Sequence, residues 1–271
     1  MTTETEKKYR DLLTYLRKLK KVAIAFSGGV DSTFLIFAAK QALGENVVAF
    51  TVNTPYIPDW EMKDADDLVK QLGIDHKIIT NDIPDNIKNN PEDRCYLCKT
   101  QIFTLLKSEA MKLDIQYLLE GTNKDDEGGY RPGLRALKEL DVVSPLREVG
   151  LNKEEIRQLS KKYKLPTWSK PSNACLLTRI PYNTKITPEE LSRIEKGEVH
   201  LFKMGFAGVR LRSHGDLARI ELQQAQFKMI EEDGIREKIA EKLKAVGYKF
   251  VCIDLEGYRM GSYDDKLKPK D

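Results

Sequence analysis

Two groups of residues in this chain have types and spacing that can do chemistry. The first is the run Ser27-Gly28-Gly29-Val30-Asp31-Ser32-Thr33, and the second is the cysteine set Cys95, Cys98 and Cys175. Adjacent glycines let a backbone turn tightly, so that successive amide N–H groups converge on an anion, and the hydroxyls of Ser27, Ser32 and Thr33 add further donors. A helix following such a turn contributes its unpaired N–H groups and the positive end of its dipole, which makes the segment a cradle for phosphate. No lysine follows the glycines, so the run is not the GxxxxGK[ST] loop of common nucleotide hydrolases, and it lacks the third glycine of the GxGxxG fingerprint. Asp31 and the Asp125-Asp126-Glu127 cluster offer hard oxygen ligands of the kind Mg²⁺ takes, although the cluster reads equally well as a solvated turn.

Arg94-Cys95-Tyr96-Leu97-Cys98-Lys99 sets two thiols at C-x-x-C spacing ahead of the helical run IFTLLKSEAM. Such a pair chelates a metal or redox centre, or stays as two thiols. Cys175 lies in the polar, proline-bearing stretch from Lys170 to Arg179, where a thiolate beside two cations is reactive. Cys252 falls in an apolar run and is expected to be a core residue. A closed zinc site needs four protein ligands, whereas only three cysteines sit in loops and His76, His200 and His214 show no ligand spacing to them. From spacing alone an iron–sulfur cluster with one open iron, a zinc site and uncomplexed thiols stay open.

These residues need elements to position them. VAIAF (22–26) reads as a buried strand ending at the glycine pair, and FLIFAAKQAL (34–43) as the helix behind it, with Gly44 as its stop. A helix over 5–20, strands at VVAFTV (47–52), HKIIT (76–80), YLLEG (117–121) and DVVSPL (141–146), and helices over 59–72 and 152–163 continue the alternation. That alternation predicts crossover units and an α/β doubly wound parallel sheet, with ligands at the carboxyl ends of its strands, where Gly121 stands. Thr187-Pro188-Glu189-Glu190 carries a capping-box signature, so a second module begins near there. The strands AGVRLRSH (207–214), LARIEL (217–222) and KFVCIDL (249–255) alternate as half-exposed strands do, which implies a small C-terminal α+β domain. The expected division is residues 1–182 and 183–271, with a frayed charged tail from Ser262.

The loop Ser27–Ser32 matches, residue for residue, the SGGxDS loop of the PP-loop ATP pyrophosphatases, which split ATP between the α and β phosphates and hold the departing pyrophosphate there. Taken in order, SGGVDST, RCYLCK, GTNKDDEGGYRPGLRA, KPSNACLLTRIPY and GVRLRSHGDLARIE resemble the LarE sulfur transferases over nearly the whole chain. The resemblance implies adenylation of a carboxylate on a pyridinium biscarboxylic acid mononucleotide, followed by replacement of its oxygen with sulfur, in making the nickel-pincer nucleotide cofactor. Adenine is expected against VVAFTV. One branch of that family sacrifices the sulfur of a cysteine at the position of Cys175. The other holds a [4Fe–4S] cluster on cysteines matching Cys95, Cys98 and Cys175 and passes on a sulfide bound at the open iron. A chain with all three is expected in the second branch. The same resemblance makes Asp31 and Cys175 catalytic, ATP and Mg²⁺ cofactors, and Arg210 and Arg212, two apart on one strand face, a phosphate clamp. Arg179, Glu198 and Asp216 are lesser candidates around the substrate, and Arg131 and its neighbours have no separate roles assigned.

The runner-up is a tRNA thiolase, which should show a large basic face or an added RNA-binding module. With 45 basic against 42 acidic residues and a net charge of +3, the chain shows neither, so no nucleic-acid partner is expected. A PP-loop amidotransferase leaves the cysteines unexplained, and a cluster or zinc carrier without catalysis leaves the intact phosphate loop unexplained. No window approaches the apolar length of a membrane helix, and MTTETEKKYRDLL has no apolar core. A cytoplasmic homo-oligomer without membrane contact is expected, its partner a small-molecule mononucleotide.

Overall fold

A computed structural model describes residues 2–127 and 132–259. Arg131 and the tail from Ser262 lie outside the described residues. The chain divides into two compact units, Met1–Asp82 with Cys95–Pro171, and Ile83–Arg94 with Ser172–Asp271.

The first unit alternates strand and helix: α1 (Thr3–Leu19), β1 (Val22–Ala25), α2 (Val30–Leu43), β2 (Val47–Asn53), α3 (Asp59–Gln71), β3 (Asp75–Thr80), α4 (Arg94–Met111), β4 (Tyr117–Leu119), α5 (Pro132–Glu139), α6 (Pro145–Glu148) and α7 (Lys153–Lys162). The four strands pair in parallel in the order β3-β2-β1-β4. Both faces are covered, and successive residues go to opposite cores as the pleat requires. Val22 and Ile24 join Val47, Ala49, Leu12, Leu35, Leu68 and Leu159 on one face. Ala23 joins Val48, Phe50, Phe103, Leu106 and Leu137 on the other. This is the doubly wound α/β sheet expected from the alternation.

Two details differ from expectation. DVVSPL forms no strand: Val143 makes a single parallel bridge to Leu119, and Pro145 then opens α6. Proline lacks the N–H that would extend the ladder. Helix α4 begins well before IFTLLKSEAM, at Arg94, so the C-x-x-C lies inside its first turns.

The strand order matters for the site. From β1 the chain runs outward to β2 and β3, then returns to place β4 on the opposite side of β1. The loops leaving β1 and β4 therefore part at a topological switch point, where open α/β sheets leave a crevice for ligands.

The second unit holds α8 (Pro188–Lys203), β5 (Arg210–His214), β6 (Leu217–Glu221), α9 (Ile235–Ala245) and β7 (Phe250–Ile253). Its sheet has the order β5-β6-β7, with β5 antiparallel and β7 parallel to β6. Thr187 caps α8 by accepting the Glu190 N–H at 3.2 Å. The Glu190 carboxylate does not return to the cap; it holds Ser213 Oγ and Arg193 instead. Segment 83–94 joins this unit through Asn90, whose carbonyl accepts the Asn183 N–H and whose side-chain amide donates to the carbonyls of Ile180 (2.9 Å) and Pro181 (3.0 Å).

Candidate functional site

In the first unit the loop Ser27–Thr33 leaves β1 and enters α2, whose N-cap is Gly29 with no side-chain cap. The first amides of α2 are therefore left for a ligand. Gly28 has φ +67°, and a Cβ there would stand 3.2 Å from the Ala65 Cβ, so both backbone and space demand glycine. The hydroxyls of Ser27 and Ser32 are 3.1 Å apart, and Ser32 Oγ also receives the Ser27 N–H at 3.3 Å. The loop is thus pre-shaped by its own side chains. Just ahead of it, the Phe26 carbonyl accepts the Thr51 hydroxyl at 2.8 Å, and His76 Nε2 lies 2.8 Å from that same hydroxyl.

Gly121, at the end of β4, completes the crevice. A Cβ there would stand 3.0 Å from the Ser32 nitrogen and 3.2 Å from the Asp31 Cβ, so the β4 loop can approach α2 only as glycine. Glu120 beside it is buried and spends its carboxylate on Thr122, accepting from N–H at 3.0 Å and hydroxyl at 2.7 Å, and on the Ser144 hydroxyl.

Asp31 is half-buried in the first turn of α2. One carboxylate oxygen pairs with the Lys153 ammonium and the other accepts the Asn123 side-chain amide at 3.4 Å. Burial pushes its pKa above the ordinary carboxylate value, and the Lys153 charge pulls in the opposite direction. In the acidic cluster beside it, Asp126 and Glu127 bond within their own turn and Asp125 reaches the start of α7. Asp126 accepts the Asn123 N–H at 3.0 Å, Asp125 accepts the Lys153 backbone N–H at 3.0 Å, and Glu127 pairs with Lys124. Lys153 is thus a site residue that the sequence did not single out.

Cys95 and Cys98 stand three residues apart in the first turns of α4, on one side of the helix, Cys95 exposed and Cys98 half-buried. Cys98 Sγ lies 3.1 Å from the hydroxyl of buried Tyr56, a second residue that sequence reasoning missed. Cys175 belongs to the second unit, half-buried, at the N-cap of a single 3₁₀ turn over Leu176–Arg179. The thiols at these three positions match the donor chemistry of a cluster. Among the described residues no group of three His, Cys, Asp or Glu side chains is gathered to hold a metal ion. Cys252, expected in the core, is exposed, because it shares with Phe250 the face of β7 that is left open to solvent.

The second unit concentrates buried arginines. Arg179 is 2% exposed and grips Glu198 with two hydrogen bonds, Nε to Oε1 at 2.9 Å and Nη2 to Oε2 at 3.1 Å. Strand β5 is buried at Arg210 through Ser213, not half-exposed as its alternation suggested. Leu211 packs over Gly197 of α8 on one side, while Arg210 and Arg212 occupy the other. Arg212 donates to the Thr178 carbonyl and pairs with Glu221 at 2.7 Å. Arg210 donates only to carbonyls among its named hydrogen bonds: Ser172 at 2.5 Å, Val209 at 3.0 Å and Gly208 at 3.2 Å. Burial, then the charges of Arg179 and Arg212, push its pKa below the usual guanidinium value, with Glu198 opposing. Asp216 stands apart from this group, in the β5–β6 turn, where Lys249 pairs with it at 2.8 Å and lowers its pKa. A cavity of about 240 Å³ in the same unit is lined by Thr187, Glu190, Ser213 and His214 and includes none of the three arginines.

Residues 14–219 match the family model described as asparagine synthase. The chain is 34% identical over 94% of its length to the pyridinium-3,5-bisthiocarboxylic acid mononucleotide synthase of Lactiplantibacillus plantarum, of which it covers 93%. It is also 39% identical to an uncharacterized protein of Synechocystis, over 97% of this chain and 98% of that one. An uncharacterized protein of Methanocaldococcus jannaschii is 38% identical, over 89% of this chain and 92% of that one. Sequence, sheet and phosphate loop agree with these matches, and the chain belongs to the LarE family of ATP-dependent sulfurtransferases, built on a PP-loop domain.

Proposed function

We propose that this enzyme adenylates a carboxylate of pyridinium-3,5-biscarboxylic acid mononucleotide and converts it to a thiocarboxylate, a step in making the nickel-pincer nucleotide cofactor. The observation that carries the substrate assignment is Arg210, a buried guanidinium held by carbonyls and flanked by Arg179 and Arg212. Such a site has positive charge to spare for the phosphate of a mononucleotide.

A carboxylate is a poor electrophile. Its oxygen attacks the α-phosphorus of ATP, pyrophosphate departs, and the acyl-adenylate has AMP as a good leaving group. The amides at the start of α2 and the hydroxyls of Ser27, Ser32 and Thr33 stabilise charge on the pyrophosphate as the bond breaks. Asp31 would hold Mg²⁺, which supplies charge neutralisation on the phosphates. A sulfur nucleophile then adds to the acyl carbon and AMP leaves with the former carboxylate oxygen.

For the sulfur we propose Cys95, Cys98 and Cys175 as the thiolates of a [4Fe–4S] cluster, which would supply a sulfide at its open iron. The alternative is sacrifice of the Cys175 sulfur itself, which limits each chain to one turnover. The test is iron and acid-labile sulfide in protein purified without oxygen, together with Cys175→Ala. About four irons per chain, lost in each cysteine variant, are expected. In Cys175→Ala pyrophosphate release is expected to survive while sulfur insertion stops. Absence of iron after anaerobic reconstitution, with a single turnover from Cys175, would overturn the cluster. A cytoplasmic homo-oligomer completes the proposal.

A further inference from the structure

We infer that Lys153 is a built-in counter-ion of Asp31 that gives it up to a divalent cation when a triphosphate offers the ammonium new partners. The inference rests on Asp31 being the cation's ligand. Its ground is a chain of contacts within the first unit. Asp31 is half-buried with both oxygens occupied, one by the Lys153 ammonium and one by Asn123. Lys153 is not a loose surface lysine. It is the first residue of α7, whose capping box is made by Asn152 and Glu155. Its backbone N–H is fixed by Asp125 at 3.0 Å, and the neighbouring Lys124 N–H donates to the Leu151 carbonyl at 2.8 Å. The turn over 124–127 thereby sets the start of α7 so that this side chain reaches Asp31. Asp125 acts in this arrangement as a positioning residue, since it touches Lys153 and not the cation.

A half-buried carboxylate is costly without a counter-charge, so Asp31 favours a cation beside it. The ammonium fills that need without recruiting metal. An incoming metal–triphosphate brings both a stronger cation for Asp31 and negative charge for Lys153, so both exchange partners at once. Metal alone brings only the first and must expel the ammonium unaided.

The test titrates Mn²⁺ alone, without nucleotide, and then Mn²⁺ with ATP, following free Mn²⁺ by paramagnetic resonance. Lys153→Met is expected to bind Mn²⁺ alone about tenfold more tightly than the unaltered chain, and Mn²⁺ with ATP about tenfold more weakly. Lys153→Arg, which keeps the charge, should stay near the unaltered values. Asp125→Ala, which loosens Lys153 but leaves it present, should tighten Mn²⁺ binding by a smaller factor. A merely structural lysine would weaken both titrations together. Unchanged or weaker Mn²⁺ binding in folded Lys153→Met, or in Asp125→Ala if the first variant does not fold, overturns the inference. If Asp31→Asn leaves Mn²⁺–ATP binding intact, the ligand assignment beneath it fails instead.

Discussion

Gly121 and Asp31 show how closely the end of β4 and the start of α2 are fitted to each other. A Cβ at Gly121 would press on the Ser32 nitrogen at 3.0 Å, and that nitrogen belongs to the first turn of α2. Gly121→Ala is therefore expected to fold, at a cost of about 1–3 kcal/mol. It should lower ATP-dependent pyrophosphate release by roughly tenfold to a hundredfold through displacement of the loop. Steady-state kinetics together with a denaturation midpoint check this, and a variant with unaltered release would show that the β4 loop does not shape the cradle. At this scale the sequence was legible where a residue type has few uses. A glycine pair flanked by Ser27, Asp31 and Ser32 has one good explanation ahead of a helix. Lys153 and Tyr56 were not legible, because their roles are made by partners far along the chain, Asp31 and Cys98 respectively. A lysine in the first turn of an amphipathic helix looks like any solvated charge.

Among the elements, β5 is the informative case. Its sequence Arg-Leu-Arg-Ser-His alternates as a half-exposed strand does, yet its first four residues are buried. Alternation reports that one face is polar; it does not distinguish water from carbonyls and carboxylates as the polar partner. Here the partners are the carbonyls of Ser172 and Thr178 and the carboxylate of Glu221. The arginines of this unit consequently divide into two kinds, and substitution should separate them. Arg179→Met strands Glu198, 3% exposed, and is expected to destabilise by about 3–5 kcal/mol, read from denaturant unfolding. Arg210→Met leaves carbonyls and the Tyr258 ring behind but no paired carboxylate, so its main effect should be a raised KM for the mononucleotide. Equal losses of stability in the two variants would contradict the division. The same limit explains Cys252. An apolar run reads as core, but Phe250 and Cys252 share the exposed face of β7, and the run does not say which face of its strand is covered.

Across the whole molecule, the doubly wound sheet was readable because each strand–helix pair declares itself within a short window. The composition of the second unit was not. Segment 83–94 leaves the first unit between β3 and α4 and joins the second through Asn90 and Lys88, which bond to backbone groups at Ile180, Pro181, Asn183 and Ile186. Nothing in the local pattern of those residues announces partners about ninety positions away. Family membership adds the reaction class. The decisive measurement supplies ATP, Mg²⁺ and pyridinium-3,5-biscarboxylic acid mononucleotide to oxygen-free protein, with sulfide present, and follows pyrophosphate and the mass of the mononucleotide together. The expected result is pyrophosphate release that depends on the mononucleotide, with one carboxylate oxygen replaced by sulfur. Release triggered instead by tRNA or ammonia, with the mononucleotide unchanged, would contradict the proposed function.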